Sequence, residues 1–600
     1  MANYNANRIR KQHHHVYTKS LVGEQDRKPY IIGFDSEADT SSDGRPMCFQ
    51  YSLPDVAEED TIIQVVPDTK NAGLGCFLNF LDKHCKFSTV EYLIYAWNTA
   101  YELTQLFHDL PKEVLNESDW KISNIRGHDK TYGWTITVAN DKRQIIDFRK
   151  GHISVQLLDG TAFYKTSLDK AAKMLGVGEK YALSATDRSL FTRRDLLDAE
   201  FIKYAKRDAY VTRLIGEYIQ EQHRRFGIRT CISAPHFAAT VFKTHFLSSN
   251  LVCPDSQIEQ AGLYSYHGGK NGYYLDGPAS FPNIYNYDIT SAYPEAMKQL
   301  PDIEKGIWQA TSKYTPGVHA IYLATLQYRK CKYGGIQTHE GPWANSGRIQ
   351  YWITSYELDE VLQQGEAKLL GCTGYLFQGP MGGALSKYVD EFFAVKSTTV
   401  GPERETAKLL LNSLYGKFFQ KQSIGSVGNY DLDTSSWIVS DGNNQSFDYE
   451  AGGLYNPPVA SLITGYVRAK IHRLEHKYES VMTSTDGLFG LNPPDGNDVG
   501  TSLGKLTVEW GSLRIWRERL YVFDAINGKQ KFALHGFHGH LSCGKAECFT
   551  GHLADIPLAA GEYRYFGQQM ITLKMSTRDH RAQHYSPGQF VKMPFTLRLG

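Results

Sequence analysis

Asp35 and Glu37 stand two residues apart in Ile31-Ile-Gly-Phe-Asp-Ser-Glu-Ala38, a run that reads as a strand, so both carboxylates leave on one face. Two acids this close repel each other unless a cation holds them, and hard divalent cations are bound by such oxygens. Asn98, Tyr101 and Glu102 cluster where a helix is expected to start, in Ala96–Phe107. In the helical pattern of Phe201–Thr212, Tyr204 and Asp208 are at i and i+4 and share a face. Each piece alone is weak, since a lone Asp-x-Glu is more often a solvated strand face. Together they suit a two-metal site for phosphodiester hydrolysis. One metal would generate hydroxide, the other would stabilise the leaving oxygen, and Tyr204 would orient the water.

A second set lies further along. Tyr285-Asn-Tyr-Asp-Ile-Thr-Ser-Ala-Tyr-Pro294 reads as a strand running into a turn and a helix, with Pro294 near the helix start. Asp288 closes the strand, and Ser291 and Tyr293 follow. Over Glu403–Phe419 a continuous helix would align Arg404, Lys408, Asn412 and Tyr415 on one face. Ala407, Leu410, Leu411, Leu414 and Phe418 would form a separate apolar stripe. The polar face offers two cations for a polyphosphate and a ring for a base. Val481-Met-Thr-Ser-Thr-Asp-Gly-Leu-Phe-Gly490 carries one acid, Asp486, at a hairpin tip, and Ser484 stands where a second carboxylate would be expected.

The elements that must position these groups are too many for one core. A chain of 600 residues calls for several domains, and 42% apolar, 22% charged composition is that of a soluble globular protein. The aromatic share is high, with 38 Tyr, while the net charge of +1 announces no nucleic acid by itself. Nine Cys without a CxxC fit a reducing cytosol. The N-terminus lacks an apolar leader, and no apolar run is long enough to cross a membrane. Residues 1–28 read as a basic, mobile arm. Strands alternate with amphipathic helices over 29–225, a compact α/β domain. A second region starts near Tyr264, and the Gly- and Asn-rich stretch Ser423–Gly453 reads as a hairpin or insertion.

In this order the motifs resemble those of family B DNA polymerases. Asp35/Glu37, Glu102 and Tyr204/Asp208 match the three motifs of the DnaQ-like 3′–5′ exonuclease domain, with Glu102 in place of the usual Asp. The resemblance implies that these four acids hold two metals, that Asn98, Tyr101, Ser167 and Leu168 contact single-stranded DNA, and that Lys180 stands near the catalytic centre. Asp288-Ile-Thr-Ser-Ala-Tyr-Pro294 resembles motif A, and Lys408, Asn412, Ser413, Tyr415 and Gly416 fill motif B. The Thr485-Asp486 tip resembles motif C, with Ser484 for its first Asp. By that likeness Asp288, the Ile289 carbonyl and Asp486 hold two further metals, Mg2+ or Mn2+. Ser291, Tyr293, Arg404, Lys408, Asn412 and Tyr415 bind the incoming nucleotide, Tyr293 excluding a 2′-hydroxyl. Glu509 is a candidate substitute for the missing acid. Tyr266-His-Gly-Gly269 resembles the YxGG template contact between the two domains. Thr464 and Arg468 loosely match a primer-template contact, and Arg519 with Tyr521 a primer-terminus contact.

The likeness implies an α/β and α+β multidomain chain, with an RNase H-like exonuclease followed by a right-hand polymerase. Its parts would be linker and palm over 226–300, an insertion over 301–385 that docks a priming protein, and fingers over 386–422. A β-hairpin insertion over 423–453, palm over 454–535 and thumb over 536–600 would complete it. The YxGG element points to the protein-primed branch of phages and mobile elements. The expected partners are template-primer DNA, single-stranded DNA, dNTPs and a terminal protein, with the chain a monomer. Two other readings remain open at this point. Ser484 would fit a weakened, polymerase-like DNA-binding module that keeps only nuclease activity, and related enzymes also start without a primer.

Overall fold

The computed structural model describes residues 28–110, 119–127, 130–139, 145–181, 191–251, 254–422, 426–432, 436–439, 450–535, 537, 556–571, 575 and 585–599. The expected basic arm therefore lies outside the described residues, apart from Lys28. The chain divides into two compact units. One holds residues up to Thr240 with Lys421–Gly452 and Met570–Val591, and the other holds the rest.

The first unit is built on an eleven-stranded sheet among the described residues. Strand β1 (Tyr30–Ala38) lies inside it, antiparallel to Pro46–Ser52 and parallel to Tyr92–Ala96. Its even positions face an aromatic core: Phe34 packs edge-on to Phe49 and Phe77 and stacks with Tyr51. Its odd positions face a helix. A Cβ at Gly33 would sit 2.0 Å from the Ala209 carbonyl oxygen, so only glycine admits that helix. Asp35 and Glu37 continue the same face by strand alternation. Helix α1 (Thr99–Leu106) follows the Tyr92–Ala96 strand and carries Glu102. The long helix α2 (Ala199–Arg225), which covers Gly33, carries Tyr204 and Asp208; Asp198 caps its start and His223, Arg224 and Arg225 close it. Strand topology thus brings four acids distant in sequence to one end of β1. The sheet continues through Asp119–Gly127 into Ser426–Asp431, which runs parallel to it, and then Ser436–Val439. Ser426–Asp431 and Ser436–Val439 therefore extend the first unit's sheet, whereas Glu450–Ala451 pairs separately with Lys421–Gln422, and Leu432 packs against Gly127.

The second unit lays down β2 (Lys270–Tyr273), β3 (Ala279–Ile289), helices α3 (Ala384–Thr398), α4 (Gly401–Ser413) and α5 (Pro457–Tyr478), then β4 (Ser480–Thr485), β5 (Gly487–Gly490) and β6 (Leu506–Arg517). The seven-stranded sheet runs β2-β4-β5-β3-β6, followed by Leu520–Ala525 and Gln530–Leu534. The 301–385 region carries its own four-stranded sheet of Ile307–Thr311, Ala367–Gln378, Ala320–Tyr328 and Gly347–Thr354, with the helix Ser355–Gln363. The helix expected over Glu403–Phe419 is shorter than predicted. It ends at Ser413 and a 3₁₀ turn, Tyr415–Phe419, follows. Asn412-Ser413 disfavour a helix interior, which is one reason for the break.

Helix α5 is buried on nearly every side, with Ser461, Thr464, Arg468, His472 and Glu475 among its buried residues. Thr464 and Arg468, expected on primer-template DNA, are each only 1% exposed. That expectation is corrected: both are internal. Arg468 forks onto Glu357 of the Ser355–Gln363 helix at 2.7 and 2.9 Å, and donates to the carbonyls of His267 at 2.6 Å and Gly268 at 3.1 Å. Thr464 Oγ1 lies on the Ala460 carbonyl and receives a further Arg468 bond. A Cβ at Gly465 would meet Thr354 Oγ1 at 2.4 Å, so glycine there allows the insert to approach α5.

Removing one partner of a buried ion pair leaves the other charge stranded, at a cost of about 3–5 kcal/mol. Arg468→Leu should lower unfolding free energy by that amount in urea melts, and adding Glu357→Leu should recover part of it; a double variant no better than the single would rule out the stranded charge. His267, 8% exposed, is held neutral down to about 4 by burial and by Arg468. The unfolded chain takes up this proton near pH 6.5 and the native chain does not, so stability falls as pH drops from about 6.5 to 4, by up to about 3 kcal/mol. Stability measured at pH 7 and pH 4.5 should show a slope that His267→Gln flattens, and an unchanged slope would refute the assignment.

Candidate active sites

In the first unit Asp35, Glu37, Glu102 and Asp208 converge. Burial pushes the Asp35 carboxyl well above the usual range, and the charges of Glu102, Asp208 and Glu37 push it further against Lys180. Glu102, 1% exposed, is raised the same way, by burial first, against a hydrogen bond from Ser36. Its Oε1 is buried with no hydrogen-bond partner. Four acids in a low-dielectric site with one nearby ammonium are a poor arrangement for a metal-free protein and a good one for oxygen-binding divalent cations. Glu102, one methylene longer than the family's Asp, reaches the cluster because Ser36 on β1 steadies it. Lys180 is ion-paired to Asp208 and donates to the Tyr204 hydroxyl at 3.3 Å. It thus positions both members of the Tyr-x-x-x-Asp pair.

Asn98 sits in the left-handed region (φ 71°) just before α1. Its backbone N–H donates to Asp159, a buried acid that ends the Ile153–Asp159 strand and also accepts from Thr99 Oγ1 at 3.0 Å. Asp159 was not singled out from sequence, where only its place before a 3₁₀ turn marks it. Burial, with the charge of Glu37, raises the Tyr101 hydroxyl well above its usual value. Ser167 caps the helix Leu168–Leu175 by accepting from the Lys170 N–H at 3.3 Å. Leu168, expected on single-stranded DNA, is instead a core residue, 6% exposed; its apolar side chain is the first buried rung of that helix.

In the second unit β3 ends at Asp288-Ile289, directly beside the β4–β5 hairpin. Asp288 is paired with Gly487 and Ser484 with Gly487, so Thr485-Asp486 form a two-residue tip. Thr485 adopts φ 60° there, and the Ile289 N–H donates to the Asp486 carbonyl at 2.9 Å. Gly487 stands where a Cβ would lie 2.8 Å from the Tyr287 carbonyl, and Gly269 where one would lie 2.5 Å from Thr485 Cγ2. Both glycines let backbone close around the tip. Burial and the Asp486 charge push Asp288 up to about 6, against Lys531 and Lys396. Burial also raises Asp486. Two raised carboxylates side by side fit a divalent cation, and the Ile289 carbonyl is the backbone oxygen at hand.

Glu509 on β6 lies opposite Asn286, on the same face of the sheet as Asp288 two residues on. Asn286 donates to it at 3.2 Å and Lys531 pairs with it, and despite its burial that ammonium holds its carboxyl below the usual range. Glu509 is thus ionised beside the site, compensated by a lysine.

Three cations gather on the helical side. Lys396 of α3 donates to Ser291 Oγ at 2.6 Å, and burial together with Arg404 and Lys408 lowers its pKa while Asp288 opposes. Arg404 and Lys408 share Glu405 as a partner and, with Asn412, are exposed. Lys396 ends Tyr388-Val-Asp-Glu-Phe-Phe-Ala-Val-Lys396, a stretch that resembles the run-up to motif B, and nothing in its spacing tells that α3 folds back to aim it at Ser291. Tyr293 and Tyr415 stack with centroids 3.9 Å apart and planes within 3°. Tyr266 stacks on Phe419 at 3.7 Å, and Tyr521 meets Phe489 edge-on at 5.0 Å. Gly268 and Arg519 are exposed, the latter with φ 57° at the turn before Leu520–Ala525.

A family model described as DNA polymerase type B, organellar and viral, matches residues 180–427. The chain is 25% identical over 363 residues to a probable DNA polymerase of Neurospora intermedia, covering 52% of this chain and 36% of that protein. It is 25% identical over 241 residues to one of Agaricus bitorquis, covering 38% and 29%. It thus spans about a third of the length of these curated relatives. Among solved structures, phi29 DNA polymerase complexed with primer-template DNA aligns over 96% of this chain and 100% of that chain at TM-score 0.68 and 16% identity. The same polymerase with single-stranded DNA aligns over the same shares at 0.65 and 15%. Residues 180–427 thus carry the likeness to the type B DNA polymerase family, and nearly the whole chain has the fold of the phi29 enzyme.

Proposed function

We propose that the chain is a DNA-directed DNA polymerase with a 3′–5′ proofreading exonuclease, replicating viral or mobile-element DNA in a host cytosol and started by a terminal protein. The observation that carries this reading is the juxtaposition of Asp288 and Asp486, with Lys396, Arg404 and Lys408 and the Tyr293–Tyr415 stack in the same unit. Asp288, Asp486 and the Ile289 carbonyl would hold Mg2+ or Mn2+, as would Asp35, Glu37, Glu102 and Asp208 in the first unit. When bound, two such ions per site lower the pKa of the attacking oxygen and stabilise the leaving one.

The chain's own groups supply the rest. Arg404 and Lys408, both exposed, would neutralise the triphosphate, and Asn412 would bond it. Lys396 holds Ser291 and places a third positive charge facing Asp288. Tyr293 is 8% exposed and pinned by Tyr415, so its ring is a rigid floor for a sugar and leaves no room for a 2′-hydroxyl. In the first unit Lys180 fixes Tyr204, which would orient the attacking water. Primer-template DNA would meet Tyr266, Gly268, Gly269, Arg519 and Tyr521, and the frayed single strand Asn98, Tyr101 and Ser167. The 301–385 insert, a folded sheet and helix, would dock the terminal protein. Ser484 keeps a second reading in play, a weakened polymerase-like module with nuclease activity only; start without any primer is a third.

Asp486→Asn should lower primer extension by about a thousandfold or more, about 4 kcal/mol, while single-strand degradation persists. Asp35→Asn should do the reverse, and extension retained by the first variant would refute the metal role of Asp486. Ser484→Asp should raise extension with Mg2+ by roughly a hundredfold, the size of a few kcal/mol of added cation attraction. No extension by the wild type with either Mg2+ or Mn2+ would select the binding-module reading instead. Glu509→Gln should reduce extension further if Glu509 stands in for the missing acid, and an unchanged rate would remove it from the site.

A further inference from the structure

His472-Arg-Leu-Glu-His476 on α5 has the H-x-x-E-H spacing, which sets two imidazoles one turn apart on one helical face. The proposed polymerase chemistry uses neither. Glu366, just before the Ala367–Gln378 strand of the insert, meets them: its Oε1 is 3.0 Å from His472 Nε2 and 3.0 Å from His476 Nε2. The three ligand atoms lie within 4.8 Å of one another. We propose that Glu366, His472 and His476 form a binding site for a divalent transition metal of the zinc class, clamping the insert to helix α5.

Four features support a metal over a plain buried ion pair. His472 is 1% exposed, yet its Nε2 has no hydrogen-bond partner; it stands at hydrogen-bond distance from Glu366 without hydrogen-bond alignment. Both Nε2 atoms lie 3.0 Å from one carboxylate oxygen, which His476 Nε2 hydrogen-bonds, and ligands around a tetrahedral zinc, with bonds of about 2.0–2.2 Å, stand roughly 3.4 Å apart. The outer groups are those a metal site needs. Glu366 Oε2 is held by the Tyr328 hydroxyl at 2.6 Å and the Gly335 N–H at 3.1 Å, which leaves Oε1 for the ion. His472 Nδ1 lies 3.3 Å from Glu475 Oε2. Lys270 also approaches Nδ1, at 2.9 Å, and is ion-paired to Glu475.

Finally, the charge balance suits a cation. Glu366 and Glu475 against Lys270 leave one net negative charge from these three groups. A Cβ at Gly335 would stand 2.8 Å from His472 Nε2, so only bare backbone fits against that nitrogen. His476 is 30% exposed, which provides an entry path and a fourth position for water. The site is structural rather than hydrolytic, because Glu475, the acid within the motif, is fully buried and bonded to Lys270 and to the Tyr274 hydroxyl.

The full chain, stripped with EDTA and held in excess Mg2+ to fill the oxygen-rich sites, should bind one Zn2+ per molecule. With Co2+ it should show the visible band of four-coordinate ion, and its Tm should rise with Zn2+. His476→Ala and Glu366→Gln should each weaken Zn2+ binding by a hundredfold or more and abolish the Tm rise, while Mg2+-supported primer extension persists. Failure of the wild type to bind Zn2+ under excess Mg2+ overturns the proposal whatever the variants do, as does undiminished binding in a folded variant. If His476→Ala does not fold, Glu366→Gln, close to isosteric, decides between metal and ion pair.

Discussion

The fork of Arg468 onto Glu357 is the interaction on which the second unit hangs. It sits in the middle of the buried helix α5 and also donates to the carbonyls of His267 and Gly268 and to Thr464 Oγ1. Those carbonyls belong to the loop whose next residue, Gly269, presses against Thr485 at the hairpin tip. One planar cation therefore joins the insert helix, the Tyr266–Gly269 loop and the tip that carries Asp486. Arginine is suited to this because its five donors are held in a rigid fork, which lysine cannot reproduce. The same geometry explains why a motif residue expected to touch nucleic acid is internal: it supports the residues that line the site.

Electrostatic tension is the second organising theme. Both clusters place carboxylates together under burial, which raises Asp35, Glu102, Asp288 and Asp486, and both keep a lysine close by. Lys180 serves Asp208 and Tyr204, while Lys396 and Lys531 serve Asp288, Ser291 and Glu509. Such arrangements oppose folding in the absence of cations and are typical of sites built to bind them. The apolar framework that bears this cost is substantial: β1 is covered on one side by aromatic rings and on the other by α2.

Much of the candidate sites was legible from local pattern. Strand alternation placed Asp35 and Glu37 on one face, helical spacing paired Tyr204 with Asp208, and the strand-to-helix junction put Asp288 at a strand end. What failed was the inference from motif to surface. Leu168 and Arg468 match motif positions but are core, since a pattern of residue types does not say which side of an element faces solvent. The helix over Glu403–Phe419 was read too long because the polar face continues through Asn412-Ser413, where the backbone breaks. Asp159 and the Glu366–His472–His476 cluster were not read at all, and Lys396 was not placed at the site. Their partners are far along the chain; Glu366 and His476 are 110 residues apart.

By itself the sequence determined which chemical groups exist and how they repeat along each element: acids on a strand face, cations on a helix face, glycines at the hairpin tip and the loop that meets it. These follow from periods of two and 3.6 residues, which are local. Only the tertiary structure decided which elements meet. It set Ser426–Asp431 beside Asp119–Gly127, folded α3 so that Lys396 reaches Ser291, and turned Arg468 inward onto Glu357. Those outcomes depend on long-range packing and on the cost of stranding a buried charge, and neither is written in local spacing.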